Sequence, residues 1–112
     1  LSRALLEDPE REGFQLLARD LRGRAVGFAT VYWTWSTLRA ARVATLNDLF
    51  VADHARGSGA AEALVRACLD RARTRGAVAL AWQTAPDNER AQRFYDRLGA
   101  KRSQWVDYSL DA

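Results

Sequence analysis

The chain has 112 residues, 48% of them hydrophobic, which suits one domain with a small core. Its formal net charge is +3, from 17 Lys and Arg against 14 Asp and Glu; the charges are interspersed, and with no dense basic block a nucleic-acid partner is not expected. A single cysteine excludes an intrachain disulfide, and one His with one Cys falls short of the usual zinc ligand set, so no metal is expected.

In chain order, residues 1–7 read as the last turns of a helix, stopped by Asp8-Pro9. Residues 13–21 read as a strand, 22–24 as a tight turn centred on Gly23, and 25–35 as a second strand rich in β-branched and aromatic residues. The two strands predict a hairpin. The longest uncharged stretch, 25–38, carries Gly, Thr and Ser and alternates in character, so it is no membrane span. No basic-then-apolar leader is seen, and a cytoplasmic protein with no membrane partner is the expectation.

Residues 43–51, VATLNDLFV, read as a third strand, with Leu46, Asp48 and Phe50 on one face and Asn47, Leu49 and Val51 on the other. A loop, ADHARGSG, leads into a helix from Ala60 to about Arg75. Its apolar stripe is Ala61, Leu64, Val65, Cys68, Leu69 and Ala72, which makes Cys68 a small buried apolar side chain. Gly76 sits where a terminating glycine belongs. The apolar run 77–84 predicts a fourth strand buried on both faces, as in parallel pairing. Asp87 or Asn88 caps a second helix that runs to about Leu98, with Gly99 as its stop. Residues 103–110, SQWVDYSL, alternate as a last strand would. A mixed α/β sheet with helices on its faces, built around one βαβ unit and spanning 1–112 as a single domain, is the architecture these elements imply.

The loop RGSGAA, residues 56–61, carries the chemistry. Amides at a helix start lack intrahelical partners, and the helix dipole is positive there. Gly57 and Gly59 let main chain approach an anion, Arg56 adds charge, and Ser58 offers a hydroxyl. A nucleotide P-loop needs Lys-Ser/Thr after its last glycine, where this chain has Ala60-Ala61. A dinucleotide fingerprint counted from Gly57 needs a small residue where Glu62 stands. A plain strand-to-helix turn is the bland alternative.

Arg56-x-x-Gly59-x-Ala61 after Leu49-Phe50-Val51 resembles the acetyl-CoA signature of the GNAT superfamily of N-acetyltransferases. Downstream, NERAQRFYDRLGA (88–100) is similar to that family's helix pattern of Asn, Ala, Tyr and Leu-Gly. The resemblance runs from about Gly13 to the C-terminus. It implies a GNAT-like acyl-CoA N-acyltransferase fold that lacks the family's N-terminal strand and first helix, in a chain that begins at Leu1. The segment 34–51 also resembles the diamine acetyltransferase branch, with Asn47 where that branch carries glutamate.

The resemblance implies roles as well. Main-chain groups of Leu49, Phe50 and Val51 would hold the pantetheine arm of acetyl-CoA in the cleft between the third and fourth strands. An amide near Phe50 would polarise the thioester carbonyl. The pyrophosphate would lie on amides of Arg56, Gly57, Ser58, Gly59, Ala60 and Ala61. Asp48 is the candidate base toward the amine, through water, and Tyr95 the candidate acid toward the leaving thiolate. Asn88 would contact the cofactor or cap its helix, and Gln83 and Thr84 are weaker candidates for the acceptor site. His54 reads as a surface residue, and Trp33, Trp35, Trp82 and Trp105 as core or interface. The function implied is transfer of the acetyl group of acetyl-CoA to a primary amine of a small molecule, the protein acting as a homodimer. A non-catalytic acyl-CoA-binding module is the alternative.

Overall fold

The computed structural model describes residues 12–37, 39–103 and 106–112. The helical turns expected at residues 1–7 and the side chain of Trp105 lie outside them. Three antiparallel strands come first: β1 (Gly13–Arg19), β2 (Ala25–Ser36) and β3 (Ala41–Val51). Helix α1 (Ala60–Thr74) and the short β4 (Leu80–Ala81) follow, then helix α2 (Glu89–Arg97). The sheet order is β1-β2-β3-β4, with β4 parallel to β3.

The β1–β2 hairpin turns through Asp20–Arg24. One carboxylate oxygen of Asp20 accepts from the amides of Arg22 (2.9 Å) and Arg24 (3.0 Å), and Gly23 takes the left-handed conformation the turn needs (φ 80°). The core lies between the sheet and α1. Phe14, Ala29, Val31, Ala44 and Leu46 from the strands meet Leu64, Val65, Cys68 and Ala72 from the helix. That stripe recurs at helical spacing, so one face of α1 is dry and the other carries its charges. Phe14, Val31 and Cys68 are fully buried, and burial of each Phe or Val side chain is worth about 1.5–3 kcal/mol.

Both helices end alike. Ala77 N donates to Ala72 O and Gly76 N to Arg73 O, each at 3.0 Å, while Ala100 N donates to Tyr95 O (3.2 Å) and Gly99 N to Asp96 O (3.0 Å). This double bond pattern closes a helix when the next residue is left-handed, and Gly76 (φ 83°) and Gly99 (φ 89°) provide that conformation.

Three expectations are corrected. First, the β2–β3 register pairs Thr30 with Asp48 and Val31 with Leu46, so Asn47 is an extra residue, a β-bulge. The bulge flips the alternation. Leu46 faces the core with Leu49 and Val51, while Asp48 and Phe50 turn to the opposite face. Second, the fourth strand pairs only at Ala44↔Leu80 and Thr45↔Ala81, beyond which β3 runs on without it; Val78, ahead of β4, donates its amide to Arg42 O (3.0 Å) but leaves its side chain exposed. Third, no strand forms over 106–112. Val106, Tyr108 and Leu110 are exposed, and a two-residue β4 offers little edge to pair with.

Candidate active site

Beyond Thr45↔Ala81, β3 continues for six more residues without β4 beside it. Ala52 N donates to Val26 O (2.8 Å), which fixes the phase of the β2–β3 ladder. In an antiparallel ladder bonded pairs alternate, so Phe50 and Asp48 turn their main-chain groups toward β2, opposite Phe28 and Thr30. Leu49 and Val51 turn theirs the other way, into the cleft that β4 has left. The family resemblance puts an amide near Phe50 at the thioester; the ladder directs that of Phe50 to β2 and those of Leu49 and Val51 to the cleft.

The cleft leads to the glycine loop. A 3-10 turn at Asp53–Ala55 precedes it, and His54 there is exposed, as expected. Arg56 N donates to Asp53 O (3.2 Å), and Ser58 donates both its amide (3.2 Å) and its hydroxyl to Ala55 O. The amides of Arg56 and Ser58 and the Ser58 hydroxyl are therefore taken within the loop. Gly57 (φ 81°) and Gly59 (φ 87°) are left-handed, and a Cβ at either would meet nothing within 4 Å. Approach from solvent is open. Gly59 is the N-cap of α1, with no side-chain cap; the first intrahelical bond is Ala63 N to Gly59 O (3.0 Å), so the amides of Gly59, Ala60, Ala61 and Glu62 have no partner within the helix. A diphosphate fits such a start. The Arg56 guanidinium meets Asp53 at 3.3 Å, an exposed pair of the kind worth about 0–1 kcal/mol and easily exchanged for a phosphate.

A small cavity of about 180 Å³ is lined by Leu46, Asn47, Leu49, Trp82, Gln83 and Tyr95. The bulge at Asn47 and the start of the parting strands thus meet α2 at one point. Tyr95 packs edge-on against Trp82 (ring centroids 5.1 Å), and burial raises its pKa above the usual phenol value, so it is a neutral O–H donor at pH 7. Asp48 is not among the residues lining that cavity. It lies one residue on and is exposed, its carboxylate Oδ2 accepting from Asn47 Nδ2 at 3.0 Å. Asn47 thus holds the neighbouring carboxylate. Asn88 caps α2, its Oδ1 accepting from Ala91 N at 3.1 Å. Gln83 donates to Asp107 at 3.2 Å, while Thr84 borders a broader trough of about 1590 Å³ around β4 that also reaches Tyr95.

Sequence reasoning does not single out Tyr32, which lies on β2 next to this region. Its hydroxyl is buried without a hydrogen-bond partner among the described residues, and burial, then the negative charge of Asp48, raises its pKa. Nothing in a tyrosine's sequence neighbours announces such isolation; the bulge that brings Asp48 to its face is the missing signal.

Residues 2–100 match the model of the acetyltransferase (GNAT) family. The chain belongs to the GNAT family of acetyltransferases. It is 36% identical over 97 residues to the uncharacterized N-acetyltransferase YhfO of Bacillus subtilis (strain 168), covering 86% of this chain and 65% of that protein. It is 33% identical over 95 residues to a D-amino-acid N-acetyltransferase of Saccharomyces cerevisiae, covering 84% and 59%. Among solved structures it is similar to a probable acetyltransferase, with a TM-score of 0.82, 35% identity, and coverage of 99% of this chain and 76% of the other. The chain thus spans less than two thirds of the lengths of the Bacillus and Saccharomyces relatives. As a GNAT family member it shares a family whose acetyl donor is acetyl-CoA. Among the described residues no group of His, Cys, Asp and Glu is arranged to hold a metal ion, and no helix is long and apolar enough to cross a membrane.

Proposed function

We propose that this protein is an N-acetyltransferase that moves the acetyl group of acetyl-CoA to the primary amine of a small molecule by direct attack in a ternary complex. One observation carries the reading. The cleft-facing main chain of β3, freed where β4 departs, leads through the Asp53–Ala55 turn to a helix start that has no side-chain cap and two open left-handed glycines.

Acetyl-CoA supplies an activated acyl carbon. The amides of Gly57, Gly59, Ala60 and Ala61 hold its diphosphate, with Arg56 exchanging Asp53 for a phosphate. Leu49 and Val51 align the pantetheine arm as an added strand, and one of their amides bonds the thioester oxygen as charge develops there; such a donor is worth about 2.7–4 kcal/mol of barrier. The acceptor's ammonium has a pKa near 10.4, so freeing it at pH 7 costs about 5 kcal/mol. Asp48, held by Asn47, takes that proton through water. The new N–C bond forms as the C–S bond breaks. Tyr95 gives its proton to the departing sulfur, and the second proton that the nitrogen sheds as the amide forms returns through water to the Tyr95 oxygen.

The test is release of free CoA thiol from acetyl-CoA with a panel of amines that includes D- and L-amino acids, polyamines and arylalkylamines. Amine-dependent release is expected. Tight binding of acetyl-CoA with no release for any amine would instead make the protein an acyl-CoA-binding module.

A further inference from the structure

Resting on that reading, we propose that Tyr32 and Asp48 together receive the acceptor amine, and that the acceptor is a monoamine carrying an apolar or aromatic substituent.

The sheet face turned away from α1 is ordered in rows by the strand registers. One row is Leu17–Phe28–Phe50, and the next is Gln15–Thr30–Asp48. Tyr32 stands two residues along β2 from Thr30, on the same face. The hydroxyl of Tyr32 is buried and has no hydrogen-bond partner among the described residues. A buried hydroxyl in that condition is costly in a native protein, and a site that a ligand completes explains it. The nearby carboxylate has one oxygen engaged by Asn47, which leaves Oδ1 without a partner among the described residues. An ammonium has three N–H donors. It can give one to the Tyr32 oxygen and one to Asp48, satisfying both, and the phenol can in turn donate to the amine once that is neutral.

The substituent is set by the neighbouring row. Leu17 is 52% exposed and Phe50 49%, and the Phe28 and Phe50 rings stack at 5.7 Å. An apolar shelf one row from a lone carboxylate suits an amine with a hydrophobic end. A polyamine's second ammonium would need a second acid, and these rows hold none: Gln15, Thr30, Gly13 and Thr45 complete them.

The test uses the full chain labelled with ¹³C at the tyrosine ζ carbon. It has three tyrosines, Tyr32, Tyr95 and Tyr108, so Tyr→Phe variants assign the resonances. 2-Phenylethylamine is titrated into the protein alone and into the protein saturated with CoA, beside 2-phenylethanol and 1,4-diaminobutane. A saturable shift of the Tyr32 resonance is expected with 2-phenylethylamine, and at least tenfold weaker binding of the other two. Asp48→Asn and Tyr32→Phe should each weaken 2-phenylethylamine about tenfold by calorimetry while leaving CoA affinity unchanged. The proposal is overturned if the Tyr32 resonance does not respond, if the alcohol or the diamine binds as well, or if Tyr32→Phe stabilises the fold without changing amine affinity. Failure of CoA itself to bind would instead sink the acetyltransferase reading, and the amine titration on the protein alone would still decide this one.

Discussion

Asn47 has no cross-strand partner in the β2–β3 register, and that one extra residue decides what Asp48 can do. Without the bulge, Asp48 would point at the core of α1 with Leu46; with it, the acid reaches the opposite face while Asn47 lines the small cavity beside Tyr95. Asn47→Ala should therefore slow turnover about tenfold by loosening the acid, with acetyl-CoA affinity unchanged in a calorimetric titration. Tyr95→Phe removes the hydroxyl proposed as the proton donor but keeps the ring against Trp82. Turnover should fall by a factor of about 10²–10⁴, the range of positioned acid catalysis, with little change in Tm. Cys68 carries a stability prediction. Burial pushes its thiol up to about 11, with the charge of Arg71 pulling weakly the other way, against an ordinary value near 8.5. The folded state thus favours the neutral thiol. Its contribution is complete below about pH 8.5 and is lost as pH rises through 11. Urea unfolding from pH 8 to 11 should show that loss in the wild type, and Cys68→Ala should remove this part of the slope.

At the scale of elements, the strand-to-helix bend is the part most exposed to mutation. Gly59→Ala forces a Cβ into a left-handed backbone, at a cost of about 1–2 kcal/mol, although nothing crowds it. Tm should fall by several degrees and CoA affinity should drop, because the amides turn with the backbone. Asn88→Ala removes the cap of α2 and should cost about 1 kcal/mol, read as a lower midpoint in urea. These two glycine- and cap-marked positions are legible in the sequence because a left-handed turn or a helix start leaves a residue-type signature. So are the periodic face of α1, the hairpin turn and the glycine stops. The extent of β4 is not. The run AVALAWQT has the composition of a buried parallel strand, yet pairing lasts two residues because strand length is set by the neighbour, and the ladder with β3 stops at Thr45, short of the bulge at Asn47. Likewise the alternation of VDYSL is real, but a strand needs an edge to bind. A bulge is a pairing event between two segments, and neither segment alone displays it, which is why simple alternation misassigns the faces of 46–50.

Across the whole molecule, one parallel β3–α1–β4 crossover builds the cleft and the glycine bend, and α2 after it brings Tyr95 to the same cleft, so ligand binding and folding are coupled. CoA at 100 times its Kd should stabilise the protein by about 2.7 kcal/mol and raise Tm by roughly 10 °C or more. The mechanism rests most heavily on the main-chain amides of Gly57, Gly59, Ala60 and Ala61 gripping a diphosphate. Calorimetric titration with CoA, and in parallel with pantetheine, which has the same arm but no phosphates, addresses that claim directly. Saturable CoA binding is predicted, with pantetheine at least thirtyfold weaker. Equal affinity for the two, or no heat from CoA, would contradict it.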